Sequence, residues 1–221
     1  MICEPVSLYR LLTPSDYVRM PWKNGLGETL EIAVKSDHLG IAYRVSQAAV
    51  VNDGEFSDFS GLQRTLVLLG GKGMKLTHST ERGYQVVHEL YTPLAVARFS
   101  GSDKTYATLV DGPIADLNIM VREGQVSASV EPLCPAASVK LHQHTHALYA
   151  GFFASSDSEV LIQDADSKGI PLHVQRVQVP SGHTLEFTAA VKVSVVTGFG
   201  VAVDIRGNSE PNHGRYFNYS Y

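Results

Sequence analysis

Charge is scarce in this sequence. Of 221 residues only 18% are Asp, Glu, Lys or Arg, below the ~25% usual for soluble domains, while 44% are hydrophobic. That balance excludes an intrinsically disordered chain, which combines high charge with few apolar residues. The charge that is present nearly cancels: 18 basic against 22 acidic residues leave a net −4. There is no basic excess to bind a phosphate backbone, and nucleic acid is not an expected partner. Cysteine is almost missing. Cys3 and Cys134 can close at most one bridge, which excludes a disulfide framework and fits a reduced, cytoplasmic setting. Long apolar runs are missing too. The most apolar stretch, Ala189 to Val203, is broken by Lys192, Ser194, Thr197, Gly198 and Gly200, short of the ~18 residues that a membrane span requires. Glu4, Pro5, Arg10 and Pro14 interrupt every candidate signal segment near the start. No membrane partner is expected.

What the chain has in plenty is β-branched residues and turns. Val (25) and Ile (8) outnumber Leu (21), and 19 Gly and 10 Pro punctuate short apolar runs, the pattern of an all-β sandwich or barrel. Expected strands are Ala42 to Val51, Arg64 to Leu69, Gln85 to Leu90, Leu94 to Phe99, Asp116 to Val121, Ser138 to Tyr149, Glu159 to Gln163, Leu172 to Val179, Thr184 to Phe187 and Val191 to Thr197. Helix signals are few. Thr13 before Pro14 reads as an N-cap followed by proline at the first helical position, which predicts a short N-terminal helix through Asp16 to Met20.

The length fits one large domain or two small ones. Leu68 to Leu76 and Val179 to Phe187 both read as strand, glycine turn, strand, a weak internal duplication. Two barrels of roughly a hundred residues each would explain it, joined near Val130 to Ala137, where Pro132 and Pro135 are expected to break any strand. A single large sandwich is the alternative.

Strand alternation shows which polar side chains share a face. Arg44 and Ser46 point the same way, with Ala48 and Val50. Arg64 sits in a strand that is apolar on both sides, so it needs an anionic partner. Asp116 and Asn118 lie on one face with Met120, opposite Leu117, Ile119 and Val121. In one reading Arg44, Arg64, Asp53 and Asp116 form internal salt bridges that only fix the fold. In the other, two guanidinium forks together with Asn24, Asn118 and Ser46 suit a small acid carrying an amide. Two loops could complete such a pocket. The segment Trp22 to Thr29 brings the only tryptophan beside Lys23 and the glycines Gly25 and Gly27, so its indole could cover a ligand. The segment Asn52 to Gly61 opens on a turn signal and spaces Phe56 and Phe59 three apart.

His142, His144 and His146 alternate and would share a strand face as imidazole ligands can, but Lys140 on that face and apolar Val139, Leu141, Ala147 and Tyr149 opposite mark it as the solvated side. No metal and no cofactor is expected. No GxSxG, HExxH or CxxC motif occurs, and no catalytic residue is assigned.

Three blocks taken together, Trp22-Lys23-Asn24-Gly25, then Tyr43-Arg44-Val45-Ser46 through Asp53-Gly54-Glu55-Phe56-Ser57 to Gly61-Leu62-Gln63-Arg64, then Asp116-Leu117-Asn118-Ile119-Met120, resemble the HutD/Ves family in content and order. The resemblance covers roughly the first 125 residues and implies a bicupin, two jelly-roll barrels in one chain: residues 1–131 as the first barrel, carrying the motifs, and 132–221 as the second, packed closely on it and completed by N-terminal strands. The polar positions that match are Trp22, Asn24, Arg44, Ser46, Asp53, Ser57, Arg64, Asp116 and Asn118, taken as ligand-binding. Leu26 replaces a usual glycine, Tyr43 a common tryptophan, and Glu55 and Ser60 common prolines. The resemblance further implies a link to bacterial histidine utilisation in one branch and to stress response in the other, without an established catalytic activity.

The expected function is therefore non-enzymatic binding of a small anionic intermediate of histidine breakdown, such as formylglutamate or urocanate. The rival is a metal-free isomerase or hydrolase with Asp53 or Asp116 as general base. A homodimer through sheet edges is the expected form of any self-association.

Overall fold

The computed structural model describes residues 7–22, 27–80, 83–141, 146–165 and 171–208, apart from the side chains at 165, 171 and 172. Among the described residues all regular structure is strand. Sheet one runs β2 (Val18–Pro21), β3 (Gly27–Asp37), β4 (Gly40–Val50), β11 (Ile114–Arg122), β6 (Leu62–Gly70), β9 (Val96–Ser100). Sheet two runs β5 (Gly54–Glu55), β10 (Lys104–Leu109), β7 (Met74–Ser79), β8 (Gln85–Leu90). Sheet three takes β1 (Tyr9–Leu12), β17 (Thr184–Phe187), β14 (Ala147–Ala154), β19 (Gly200–Gly207) and β12 (Val126–Leu133). Sheet four takes β13 (Ser138–Leu141), β18 (Val191–Thr197), β15 (Ser158–Ala165) and β16 (Pro171–Val179).

Side-chain alternation turns these four sheets into two barrels. From β4, β11 and β6 of sheet one, Tyr43, Val45, Leu117, Ile119, Val121 and Val67 pack against Tyr149, Phe153, Val201, Val203 and Ile205 of sheet three. The opposite face of sheet one closes on sheet two over Leu66, Leu68, Met74, Leu76 and Ala107. Sheets three and four enclose their own core around Leu141, Ala150, Phe152, Ile162, Leu185 and Val193. Each fully buried Leu or Phe in these cores contributes roughly 1.5–3 kcal/mol. The layer order is thus four, three, one, two. Sheet one is buried on both faces, which explains why its central strands read as continuous apolar runs interrupted by a few polar residues.

Three expectations are corrected. The short N-terminal helix is absent. Thr13 and Asp16 bond to each other, with Thr13 N–H and Oγ1 donating to the Asp16 carboxylate at 2.7 and 2.9 Å and Asp16 N–H donating to the Thr13 carbonyl at 2.9 Å. The capping chemistry therefore closes a single turn. Tyr17 then anchors to the Gly182 carbonyl and Thr184 hydroxyl, and Val18–Pro21 pairs with β3. Pro132 does not break a strand either. It lies within β12 opposite Val201, and β12 is an edge strand, where a missing N–H is tolerated. Finally, Ser138 to Tyr149 is not one strand: β13 belongs to sheet four and β14 to sheet three. His142 and His144 lie outside the described residues.

Candidate functional site

A cavity of about 580 Å³ opens between sheet one and sheet two, beneath the loop that joins β4 to β6. Its floor follows from strand register. Asn118 of β11 pairs with Ser46 of β4, and Met120 lies between Arg44 on one side and Arg64 on the other. Asp116 stands one pleat further along the same face, opposite Ala48 and Leu68. Period-two alternation therefore carries Arg44, Ser46, Arg64, Asp116 and Asn118 to one surface, and all five are buried.

The two arginines are held differently. Arg44 Nε lies 2.8 Å from the Glu31 carboxylate on β3, and its Nη2 reaches the Met20 sulfur at 3.1 Å. Arg64, 5% exposed, makes no ion pair or hydrogen bond with a described residue. Its guanidinium instead sits among three aromatic rings, 5.1 Å from the centroid of Phe56, 5.3 Å from Phe59 and 4.9 Å from Phe99. Cation–π attraction of ~0.5–2 kcal/mol per ring offsets only part of the cost of burying the charge. That burial pulls the Arg64 pKa down to about 10, with the Asp116 charge opposing and Arg44 adding to the effect.

Asp116 is 2% exposed and comes within ion-pair distance of neither arginine. Burial pushes its carboxyl up to about 7, with Arg64 pulling the other way. The buried atoms Arg64 Nε, Asp116 Oδ1 and Asn118 Oδ1 have no hydrogen-bond partner among the described residues. Each unsatisfied buried group costs roughly 1–3 kcal/mol, and most buried polar groups in folded proteins are paired. Three such atoms line one cavity.

The loops complete the walls. Trp22 donates its indole N–H to Thr29 Oγ1 at 2.9 Å, so the ring is fixed and offers the cavity only its apolar surface. Gly27 permits this, since a Cβ there would lie 3.0 Å from the indole ring and 2.6 Å from the Ala49 carbonyl. Asp53 does not orient an arginine. It is exposed, and its Oδ1 accepts the Leu109 N–H at 2.8 Å, which pins the roof loop to β10. Ser57 is an exposed rim residue of the cavity. Asn24 lies outside the described residues. Of the expected internal salt bridges none forms among the described residues; the ion pair that does form uses Glu31, which sequence reasoning missed.

Other contributors were missed as well. Phe99 is the register partner of Arg64, so an aromatic opposite a buried cation on a neighbouring strand was the available signal. Gly101 lets the roof loop approach: a Cβ would lie 2.1 Å from the Phe59 carbonyl, and backbone bonds tie Gly101 to Phe59 and Leu62. Behind Phe99 the His78 ring stacks at 4.4 Å. Its nitrogens meet Thr105 Oγ1 at 2.9 Å and His88 Nδ1 at 3.0 Å. Burial holds the His78 pKa down at about 4, His88 adding to the effect, so His78 is neutral at pH 7. No group of three or more His, Cys, Asp or Glu among the described residues could hold a metal ion.

Fold and site together define a two-barrel cupin with a polar, arginine-bearing cavity in its first barrel. Comparison with solved structures agrees: a Bacillus subtilis oxalate decarboxylase variant superposes with a TM-score of 0.58 at 9% identity, over 90% of this chain and 76% of that one, a likeness of fold alone. The chain belongs to the HutD family, whose sequence model matches residues 14–197. HutD from Pseudomonas fluorescens SBW25 is similar at a TM-score of 0.70 and 26% identity, covering 91% of this chain and all of that one. An uncharacterised 21.2 kDa protein in the hutC 3′ region of Pseudomonas putida is 31% identical over 170 residues, 76% of this chain and 85% of its own length. Protein Ves of Citrobacter koseri is 35% identical over 130 residues, 52% of this chain and 60% of its own length.

Proposed function

We propose that this chain is a non-enzymatic binding protein of the cytoplasm whose first barrel holds the carboxylate of a small intermediate of histidine breakdown, N-formylglutamate or urocanate, and thereby modulates histidine utilisation. The observation that carries the reading is Arg64: a buried cation, caged by aromatic rings, with no anionic partner among the described residues. A ligand carboxylate supplies that partner through the guanidinium fork. Asn118 and Ser46, side by side on the floor, read an amide, formyl or ring nitrogen, while Trp22 and Met120 cover the apolar part. The names of the Pseudomonas relatives support the link to histidine utilisation. Isothermal titration of both acids into the protein tests it: one site per chain is expected, and absence of heat with these and the other acids of the pathway refutes it.

One observation favours a second reading. A buried carboxyl that titrates near neutrality and shares its cavity with a cation suits a general base with an electrophilic stabiliser, which would make Asp116 the base of an isomerase or hydrolase. Turnover of a pathway acid, lost in Asp116→Asn, would establish it; stable mixtures of protein and every acid would exclude it.

A further inference from the structure

The charges around Asp116 set what the cavity can accept. On β4 the cation of that face is Arg44, four residues along from Ala48, the register partner of Asp116, and Glu31 of β3 already matches it at 2.8 Å. From β6 the charge of Arg64 reaches it, and no carboxylate of a described residue lies within ion-pair distance of that guanidinium. The roof loop brings Asp53 and Glu55 to the exposed rim. The facing sheet brings apolar Met74, Leu76 and Ala107 and, behind Phe99, the ring of His78, itself bonded to His88. Its own strand adds Asn118. No cation besides the two arginines approaches from the described residues. If Asp116 were ionised, it would balance Arg64, and an incoming carboxylate would meet a buried like charge on the cavity floor. As the neutral acid it leaves Arg64 uncompensated and adds an O–H donor whose neighbouring Oδ1 is buried and unpartnered. Both changes favour a carboxylate.

We propose that the cavity takes up its carboxylate ligand together with one proton, held on Asp116 and donated as a hydrogen bond to the ligand. This rests on the binding reading above and adds its regulation: affinity is linked to pH through one named residue. No bond is broken; the proton comes from water and stays on the Asp116 carboxyl, which the bound anion makes more basic. The position of the Asp116 titration, near 7 in the free protein, puts the linkage in the neutral range.

N-Formylglutamate is the probe, because its own carboxyls stay ionised throughout the range. Its affinity for the protein is expected to weaken about tenfold between pH 6 and pH 8, and about tenfold more per further unit, while the carboxyl in the complex remains protonated. Titration at pH 8 in two buffers of different ionisation enthalpy is expected to report net uptake of one proton per site. In Asp116→Asn the pH slope and the proton uptake vanish, whatever the affinity, whereas His78→Gln keeps both. Binding with a flat pH profile, net proton release, or an unchanged slope in Asp116→Asn overturns this proposal alone. No binding at any pH overturns the functional reading with it.

Discussion

Replacing Arg64 by methionine separates a binding arginine from a structural one. If Arg64 served only to fix the fold through a salt bridge, losing it would strand a buried carboxylate at a cost of ~3–5 kcal/mol, a melting-temperature drop of roughly 6–20 °C at ~2–4 °C per kcal/mol for a chain of this size. The structure gives a different sum. No carboxylate of a described residue lies within ion-pair distance, so none of these is stranded, and Asp116 keeps its proton more easily when the nearby cation goes. The three ring contacts at 4.9 to 5.3 Å are worth ~0.5–2 kcal/mol each, but the desolvation cost of the guanidinium disappears with them. Methionine retains most of the packing among Phe56, Phe59 and Phe99. The ligand-free Arg64→Met protein is therefore expected to melt within about 4 °C of the wild type, the equivalent of ~1 kcal/mol. Ligand binding behaves otherwise. Removing one partner of a desolvated charge pair costs ~2–5 kcal/mol, which at ~1.4 kcal/mol per decade is a roughly thirty- to three-thousand-fold loss of affinity. Differential scanning calorimetry with and without the acid reads both quantities on one sample. A drop of more than about 10 °C without ligand, together with an unchanged ligand shift, would make Arg64 a structural residue instead.

Other outcomes follow from the same geometry. The Asp116 carboxyl titrates at about 7 when folded, against an ordinary 3.8, so the unfolded chain loses this proton first. Its effect is to make stability fall as pH rises from about 4 to 7 and stay low above, by at most ~4 kcal/mol. Asp116→Asn should flatten that dependence and raise the melting temperature at pH 8, as urea titrations at several pH values would show. His78 has the opposite sign: with its pKa held at about 4, the unfolded state takes up the proton first, and stability falls as pH drops from 6.5 towards 4. His78→Gln should remove that part of the acid sensitivity, again by urea titration. Asp53→Ala removes the bond to the Leu109 N–H, worth ~1 kcal/mol. It should speed limited proteolysis within residues 51–61 and weaken ligand binding a few-fold without altering the cooperative melt.

The strands of sheet one that carry the site were legible because each is apolar on both faces and the polar exceptions stand out. Arg44, Ser46, Arg64, Asp116 and Asn118 fall on the faces that alternation gave them, and register then brings them to one cavity. What alternation could not supply is the partner of each group. Glu31 was hidden because β3 shifts register between Glu31 and Ala33, which spoils the period-two pattern that marks a strand. Phe99 was hidden because its role depends on the pairing of β9 with β6, a contact between segments far apart in sequence. Asp53 was placed near the arginines, yet a backbone N–H on β10 claims its carboxylate, and nothing local forecasts that choice. The expected N-terminal helix failed for a related reason: a cap residue marks where a helix can start, while the pairing of Val18–Pro21 with β3 and the anchoring of Tyr17 decide that the chain stays extended.

Binding of a small carboxylate on Arg64 in the first barrel, as proposed, is open to one direct measurement. That measurement is a thermal-shift panel of histidine, urocanate, imidazolone propionate, formiminoglutamate, N-formylglutamate and glutamate, with and without chelator. A ligand at 100 times its dissociation constant stabilises the fold by ~2.7 kcal/mol, a rise of roughly 5–10 °C. Such a rise is expected with N-formylglutamate or urocanate, indifferent to chelator and abolished in Arg64→Met. Six flat melting curves, or a rise that survives in Arg64→Met, would contradict it.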